Sequence, residues 1–242
     1  SFAMCRLYLD KDFATQFSIQ FAQRYWELYL CRWLLSHGAL IAPKKNSAGP
    51  DFDVSYDGTK IQFEATCPTH GDPRNDDSVP QSTPATLNDD MAMREIPVDK
   101  IVLRYTSSLK TKSVNLKNHL GPDDASVIAV SGASLGYDNW SGIHDEPYIV
   151  LALVPMGPPY AVVDSTGKPL KEGRQYQDTI AKANGAGVST EFFFDQANAH
   201  ISGVLYMPAI LVVNNDVPAK NVKDLIALAK AKPKSLLFCS SG

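Results

Sequence analysis

Three carboxylates in the first third of the chain have types and spacings suited to holding a divalent cation. Glu27 lies between Trp26 and Leu28 in an apolar stretch. Asp51 follows Pro50 at the mouth of a hairpin pattern. Glu64 sits on the polar side of the alternating run Lys60-Ile61-Gln62-Phe63-Glu64-Ala65-Thr66. A carboxylate among apolar residues is costly unless it is paired or binds a cation. Two or three converging carboxylates bind Mg²⁺ through oxygen ligands and leave several waters on the ion. Such an ion can activate a water and stabilise a phosphodiester transition state. Each acid also has a plainer reading. Glu27 could pair with Arg24 or Arg32, Gly49-Pro50-Asp51 is ordinary turn chemistry, and Glu64 could face solvent.

The elements that must position these acids follow from periodicity. Phe17, Phe21, Tyr25, Leu28 and Leu35 recur at helical steps over Ala14 to His37, with Gly38 as a stop; Trp26, Leu30 and Trp33 widen the apolar face. Ala39 to Ala42 reads as a short strand and Pro43 to Gly49 as a polar loop. Phe52 to Tyr56, the turn Asp57-Gly58 and Lys60 to Thr66 form a β-hairpin pattern. Alternation puts Lys60, Gln62, Glu64 and Thr66 on one face of its second strand, which must then look at something wet or charged. Residues 69–97 form a long polar loop, of a length that is either functional or disordered. Asp99 is placed to cap a helix from Lys100 to about His119.

Beyond it, Ser126 to Val130, Tyr148 to Val154 and Tyr160 to Val163 read as strands, the last two separated by the breaker Gly157-Pro158-Pro159. Gln175 to Ala183 reads as a helix stopped by Asn184-Gly185, and Phe192 to Phe194 and Ile201 to Tyr206 as strand-like runs. The order predicts an α/β protein with a central mixed sheet flanked by helices.

With these elements in place, the chain resembles the PD-(D/E)XK nuclease superfamily, especially its members with a G-P-D-F box. The matching residues are Glu27 in Arg24-Tyr25-Trp26-Glu27-Leu28, the box Gly49-Pro50-Asp51-Phe52, and Phe63-Glu64-Ala65-Thr66. The likeness continues through Arg104-Tyr105-Thr106-Ser107 with Lys112, and to His200-Ile201-Ser202-Gly203-Val204-Leu205-Tyr206. The resemblance implies a restriction-endonuclease-like core and Mg²⁺-dependent (or Mn²⁺-dependent) cleavage of nucleic acid, DNA first. Asp51 and Glu64 would hold the metal, and Glu27 would add a ligand, directly or through water.

One departure matters. The family pattern places a lysine two residues after the second acid, to polarise the attacking water, and here that residue is Thr66. Threonine supplies no positive charge. Lys60 shares the strand face but lies roughly 13 Å from Glu64 along the strand. Lys112 lies about two turns from Arg104 on about the same face of the next helix. Family members move this lysine to a neighbouring element, so Lys112 is favoured over Lys60. Phosphate contacts would fall to local lysines, Lys44, Lys45, Lys110, Lys112 and Lys117, together with Arg104.

Composition bounds the alternatives. In 242 residues, 44% are hydrophobic and 20% charged, enough for a core, and the net charge of −3 argues against a generally basic coat on nucleic acid. That charge and the missing lysine keep open an inactive nuclease-fold module that binds nucleic acid or a protein. No apolar run spans a membrane, no secretory leader is read, and the scattered Cys5, Cys31, Cys67 and Cys239 give no zinc or disulfide pattern, so a reduced, cytoplasmic protein is expected; a homodimer is left open.

Gly132-Ala133-Ser134-Leu135-Gly136 fits a G-x-S-x-G nucleophile elbow, with Asp195 and His200 following in hydrolase order, but a turn-like segment follows where a helix is needed. Gly121-Pro122-Asp123 lacks an acid-bearing strand behind it, and His144-Asp145-Glu146 reads as a solvated turn. Residues 1–206 thus form the nuclease-like domain and 207–242 a strand-helix-strand appendage. This tail resembles a segment of the tripartite tricarboxylate receptor solute-binding proteins, over Ile210-Leu211-Val212-Val213-Asn214, Val217-Pro218-Ala219-Lys220 and Leu225 to Lys230. The likeness covers too little chain for a solute-binding function.

Overall fold

The computed structural model describes residues 2–44, 49–81, 96–121, 124–135 and 146–207. The chain divides into two units, Ser1–Ala209 and Ile210–Gly242. The second unit lies outside the described residues, as do Lys45, Pro122-Asp123, His144-Asp145 and all of the 207–242 appendage except Met207, which ends the last strand of the first unit.

Two short helices, α1 (Phe2–Cys5) and α2 (Phe13–Gln16), precede the long α3 (Phe21–Ser36). The sequence predicts one helix from Ala14; the structure breaks it. Gln20 leaves helical geometry at φ −122° and ψ 51°. The four-residue aromatic step survives the break because Phe13, Phe17 and Phe21 pack ring against ring across it. At the other end Gly38 takes φ +79°. Its N–H reaches Leu35 O at 3.3 Å and the Ala39 N–H reaches Leu34 O at 3.1 Å, a Schellman stop.

The chain then forms β1 (Leu40–Ile41), β2 (Phe52–Tyr56) and β3 (Thr59–Thr66), an antiparallel meander. Asp57 and Gly58 both have positive φ, 48° and 77°, as a two-residue hairpin turn requires. Of the expected loop, residues 69–81 and 96–97 are described and hold neither helix nor strand; Val79 anchors this stretch in the core. The helix α4 (Val98–Lys117) starts two residues before the predicted position. Pro97 takes the cap, and Asp99 falls in the first turn, where its charge suits the helix dipole. The α4 crossover leads to β4 (Ala125–Ser131), parallel to β3.

Further on, the apolar run predicted as a strand from Tyr148 is instead α5 (Val150–Leu153). It is buried against α4, and a uniformly apolar run carries no period that separates helix from strand. The strand β5 (Met156–Val163) absorbs the Gly157-Pro158-Pro159 breaker by a register shift and pairs with β6 (Pro169–Tyr176). Edge strands tolerate proline in this way. The predicted helix from Gln175 is absent: its residues end β6 and form β7 (Thr179–Ala181), which pairs with β8 (Gly187–Ser189). Asn184-Gly185, read as a helix stop, turns that hairpin, with Gly185 at φ +83°. Phe192 to Phe194 is a turn rather than a strand, with the Phe194 N–H donating to Glu191 O. Finally β9 (Gly203–Met207) runs parallel to β4.

The main sheet has the order β1-β2-β3-β4-β9, a central mixed sheet of five strands with helices on its faces. Strand alternation splits the core. Phe63, Ala65 and Ala129 join Trp26, Leu30 and Leu34 of α3, while Ile128 and Val130 join Ile101, Tyr105 and Leu109 of α4. The polar face of β3 is therefore not open to water: Gln62, Glu64 and Thr66 are buried, and α4 packs on that strand.

Candidate active site

Glu64 belongs to β3, one strand in from the edge pair, and its register partner on β4 is Ile128. Its side chain is 5% exposed. Asp51 precedes β2, and its Oδ2 accepts the Ala65 N–H at 2.8 Å, continuing the hairpin ladder with a side chain. Lys112 on α4 reaches down between the two acids. Its Nζ lies 2.5 Å from Glu64 Oε2 and 3.4 Å from Asp51 Oδ2. Burial and the nearby Asp51 push the Glu64 carboxyl up to about 7, against the opposing pull of Lys112. Burial alone would lower the Lys112 ammonium, but the two carboxylates outweigh it and hold Lys112 above its ordinary range.

Glu27 occupies the side of the same cleft. Its Oε2 accepts from Arg24 Nη1 at 2.7 Å and its Oε1 from Gln23 Nε2 at 2.8 Å. Burial and Asp51 raise its carboxyl above the usual range. Gln23 also donates to Ala65 O at 3.1 Å and accepts the Cys67 N–H at 2.7 Å. One amide thus ties α3 to the end of β3.

The charges form an open chain of ion pairs, from Glu27 through Arg24, Asp10, Lys44, Asp51 and Lys112 to Glu64. Arg24 Nη1 lies 3.5 Å from Asp10 Oδ2, Lys44 Nζ lies 3.1 Å from Asp10 Oδ1, and Lys44 Nζ lies 3.9 Å from Asp51 Oδ1. With all four carboxylates ionised (Asp10, Glu27, Asp51, Glu64) against three cations (Arg24, Lys44, Lys112), one negative charge is in excess. Part of this chain of ion pairs borders a cleft of about 640 Å³, lined by Asp10, Arg24, Glu27, Asp51 and Lys112 among others.

The structure sorts the sequence candidates. Asp51, Glu64 and Lys112 meet directly, with Glu27 alongside. Lys60 does not join them: its Nζ pairs with Asp124 Oδ2 at 2.9 Å and its side chain is 54% exposed. Lys44, expected to contact phosphate, is drawn between Asp10 and Asp51. Arg104 spends its Nε on Thr69 O at 2.7 Å, and Lys110 and Lys117 stand exposed on α4. Sequence reasoning missed Asp10 and Gln23. The Gln23–Glu27 spacing of four was a usable signal; Asp10 offered none.

Among the described residues, no three His, Cys, Asp or Glu side chains form a ready metal cage. Asp51 and Glu64 still suit Mg²⁺, which needs only one or two carboxylates and keeps its waters. The excess negative charge and the raised Glu64 and Glu27 carboxyls are what a cation would relieve.

Comparison with protein-family models, curated proteins and solved structures finds no match. For the serine elbow the geometry gives no support. Ser134 lines the cleft from a short turn after β4, but His200 Nε2 lies 2.9 Å from Ser113 O, and Asp195 caps the next turn by accepting the Ala197 N–H.

Proposed function

We propose that the chain is a Mg²⁺-dependent phosphodiesterase of the PD-(D/E)XK type that cleaves nucleic acid, DNA first, with Mn²⁺ as a substitute metal. The observation that carries this reading is the position of Lys112, between Asp51 and Glu64 from the crossover helix. That is where a lysine is needed once Thr66 has replaced the usual one. Asp51 and Glu64 would hold the metal, and the bound metal would lower the pKa of a water and screen the charge gathering on the phosphate.

The chain's own groups do the rest. Lys112 keeps its proton, because two carboxylates surround it, so it acts as a hydrogen-bond donor and a fixed positive charge rather than as a base. It can orient a water oxygen beside the two acids. Arg24 and Gln23 fix Glu27 at the cleft wall, where its charge adds to the field that draws the cation in. No helix among the described residues is long and apolar enough to cross a membrane, and Cys5, Cys31 and Cys67 are free thiols, which supports a cytoplasmic setting.

The test is calorimetric titration with Mn²⁺ and Mg²⁺, run beside cleavage of linear and circular DNA. Metal binding and cleavage that Asp51→Ala abolishes, with cleavage but not metal binding lost in Lys112→Ala, support the reading. Absence of metal binding, or cleavage untouched by Asp51→Ala, ends it. The chain of ion pairs favours a second reading, an inactive module, because three cations already offset most of the acid charge. DNA binding that survives loss of Asp51 and Glu64, with no cleavage by the intact chain, would select it.

A further inference from the structure

The cleft that holds the acids is also bordered by aromatic and aliphatic surface. Phe21 and Ile19 line it together with Asp51, Glu27 and Lys112. Phe21 is 37% exposed, Tyr25 one helical turn on is 43% exposed, and Ile19 is 70% exposed. The Phe21 and Tyr25 rings stack at 5.7 Å with 24° between their planes. Behind them Phe17 meets Phe21 edge-on at 5.2 Å, and Phe17 in turn contacts buried Phe13 at 5.8 Å. The exposed rings are thus braced from inside the fold, so little side-chain freedom is lost when a planar partner lands on them.

The charges near them point the same way. A duplex is gripped chiefly through many phosphate contacts by free Lys and Arg. Here Arg24 and Lys112, the cations that line the cleft, are each paired with carboxylates, as is Lys44 behind Asp10 and Asp51. What the rim offers freely is ring surface. Aromatic side chains bind unpaired bases by stacking, without regard to sequence.

We propose that Phe21 and Tyr25 form a base-stacking platform, and that the substrate enters this cleft as a single strand or a frayed end rather than as intact duplex. The inference rests on the nuclease reading for its choice of nucleic acid. It adds that bases beside the scissile phosphate lie on the Phe21–Tyr25 rings, with the phosphate chain turned toward Asp51, Glu64 and Lys112.

The experiment is fluorescence polarisation of the full chain in Ca²⁺, with labelled 12-nucleotide single strands and a duplex of the same length, over a series of salt concentrations. Mg²⁺-dependent cleavage of the same oligonucleotides is read in parallel. The single strand should bind at least ten-fold more tightly than the duplex. Phe21→Ala and Tyr25→Ala should each weaken single-strand binding at least about five-fold, the low end for loss of one stacked base. Their salt slopes should match wild type, since no phosphate contact is lost. Phe21→Trp should retain binding, and it keeps the test decisive if Phe21→Ala does not fold. Equal or tighter duplex binding, or alanine variants that bind single strands like wild type, overturns the proposal. So does a self-association that Phe21→Ala releases while oligonucleotide binding stays unchanged. Ring-dependent binding with no cleavage of any substrate would uphold the platform and remove the nuclease reading. Duplex cleavage indifferent to both rings would do the reverse.

Discussion

Lys112 is the residue on which the site turns. Removing its ammonium leaves Asp51 and Glu64 as close, poorly solvated like charges. Breaking a buried pair from one side typically costs about 3–5 kcal/mol. Lys112→Ala should therefore lose stability on that scale in urea titration, besides losing cleavage, while Lys60→Ala, at an exposed ion pair, should change stability by less than about 1 kcal/mol. Glu64 gives a pH signature. Its folded carboxyl lies near 7, above its ordinary 4.5. A group raised in this way favours the folded state while protonated; that contribution is whole below pH 4.5 and is lost as pH climbs through 7. In metal-free protein, Glu64→Gln should gain on wild type in urea midpoint between pH 5 and pH 8. Parallel curves over that range would contradict the raised carboxyl. Asp51 and Glu64 were legible because turn chemistry and alternation mark their places. Asp10 was not, because its role depends on Lys44 and Arg24, which reach it from distant points in the chain.

At the scale of elements, the hairpin carries the acids and α4 carries the lysine, so the site can be tested by moving the charge between them. Thr66 is buried on the same face of β3 as Glu64. The double variant Lys112→Ala with Thr66→Lys should recover at least ten-fold of the cleavage lost in Lys112→Ala. No recovery, in a variant that folds, would mean that the charge must come from the helix. Gly38→Ala should cost about 1–2 kcal/mol, because φ +79° places a side chain in the left-handed region. The β2–β3 hairpin and α4 could be read from the sequence because their periods are long and their turn residues specific. α5, β6 and β7 could not. A four-residue helix has no measurable period, and Asn-Gly serves a hairpin as readily as a helix end.

For the molecule as a whole, the five-stranded sheet separates two apolar cores, one under α3 and one under α4. The acids and Lys112 occupy a polar seam where these layers meet strand ends. Cation binding in that seam should stabilise the native state by mass action, by about 2.7 kcal/mol at a hundred-fold excess over Kd. Thermal melts should rise with added Mg²⁺, return to baseline with chelator, and show no rise in Asp51→Asn. The chain-wide net charge of −3 concealed this seam, since it averages over surface groups that play no part in it.

Gln23 extends the sheet in a way that backbone tracing overlooks. At the end of β3, its carboxamide donates to Ala65 O and accepts from Cys67 N just beyond the strand, as a neighbouring peptide group would. A side chain thus impersonates one residue of an absent strand. The Cys67 amide proton should then exchange with solvent as slowly as those inside β3, and Gln23→Ala should free it. In the same step α3 would lose this tie to the end of β3 while keeping its packing through Trp26, Leu30 and Leu34.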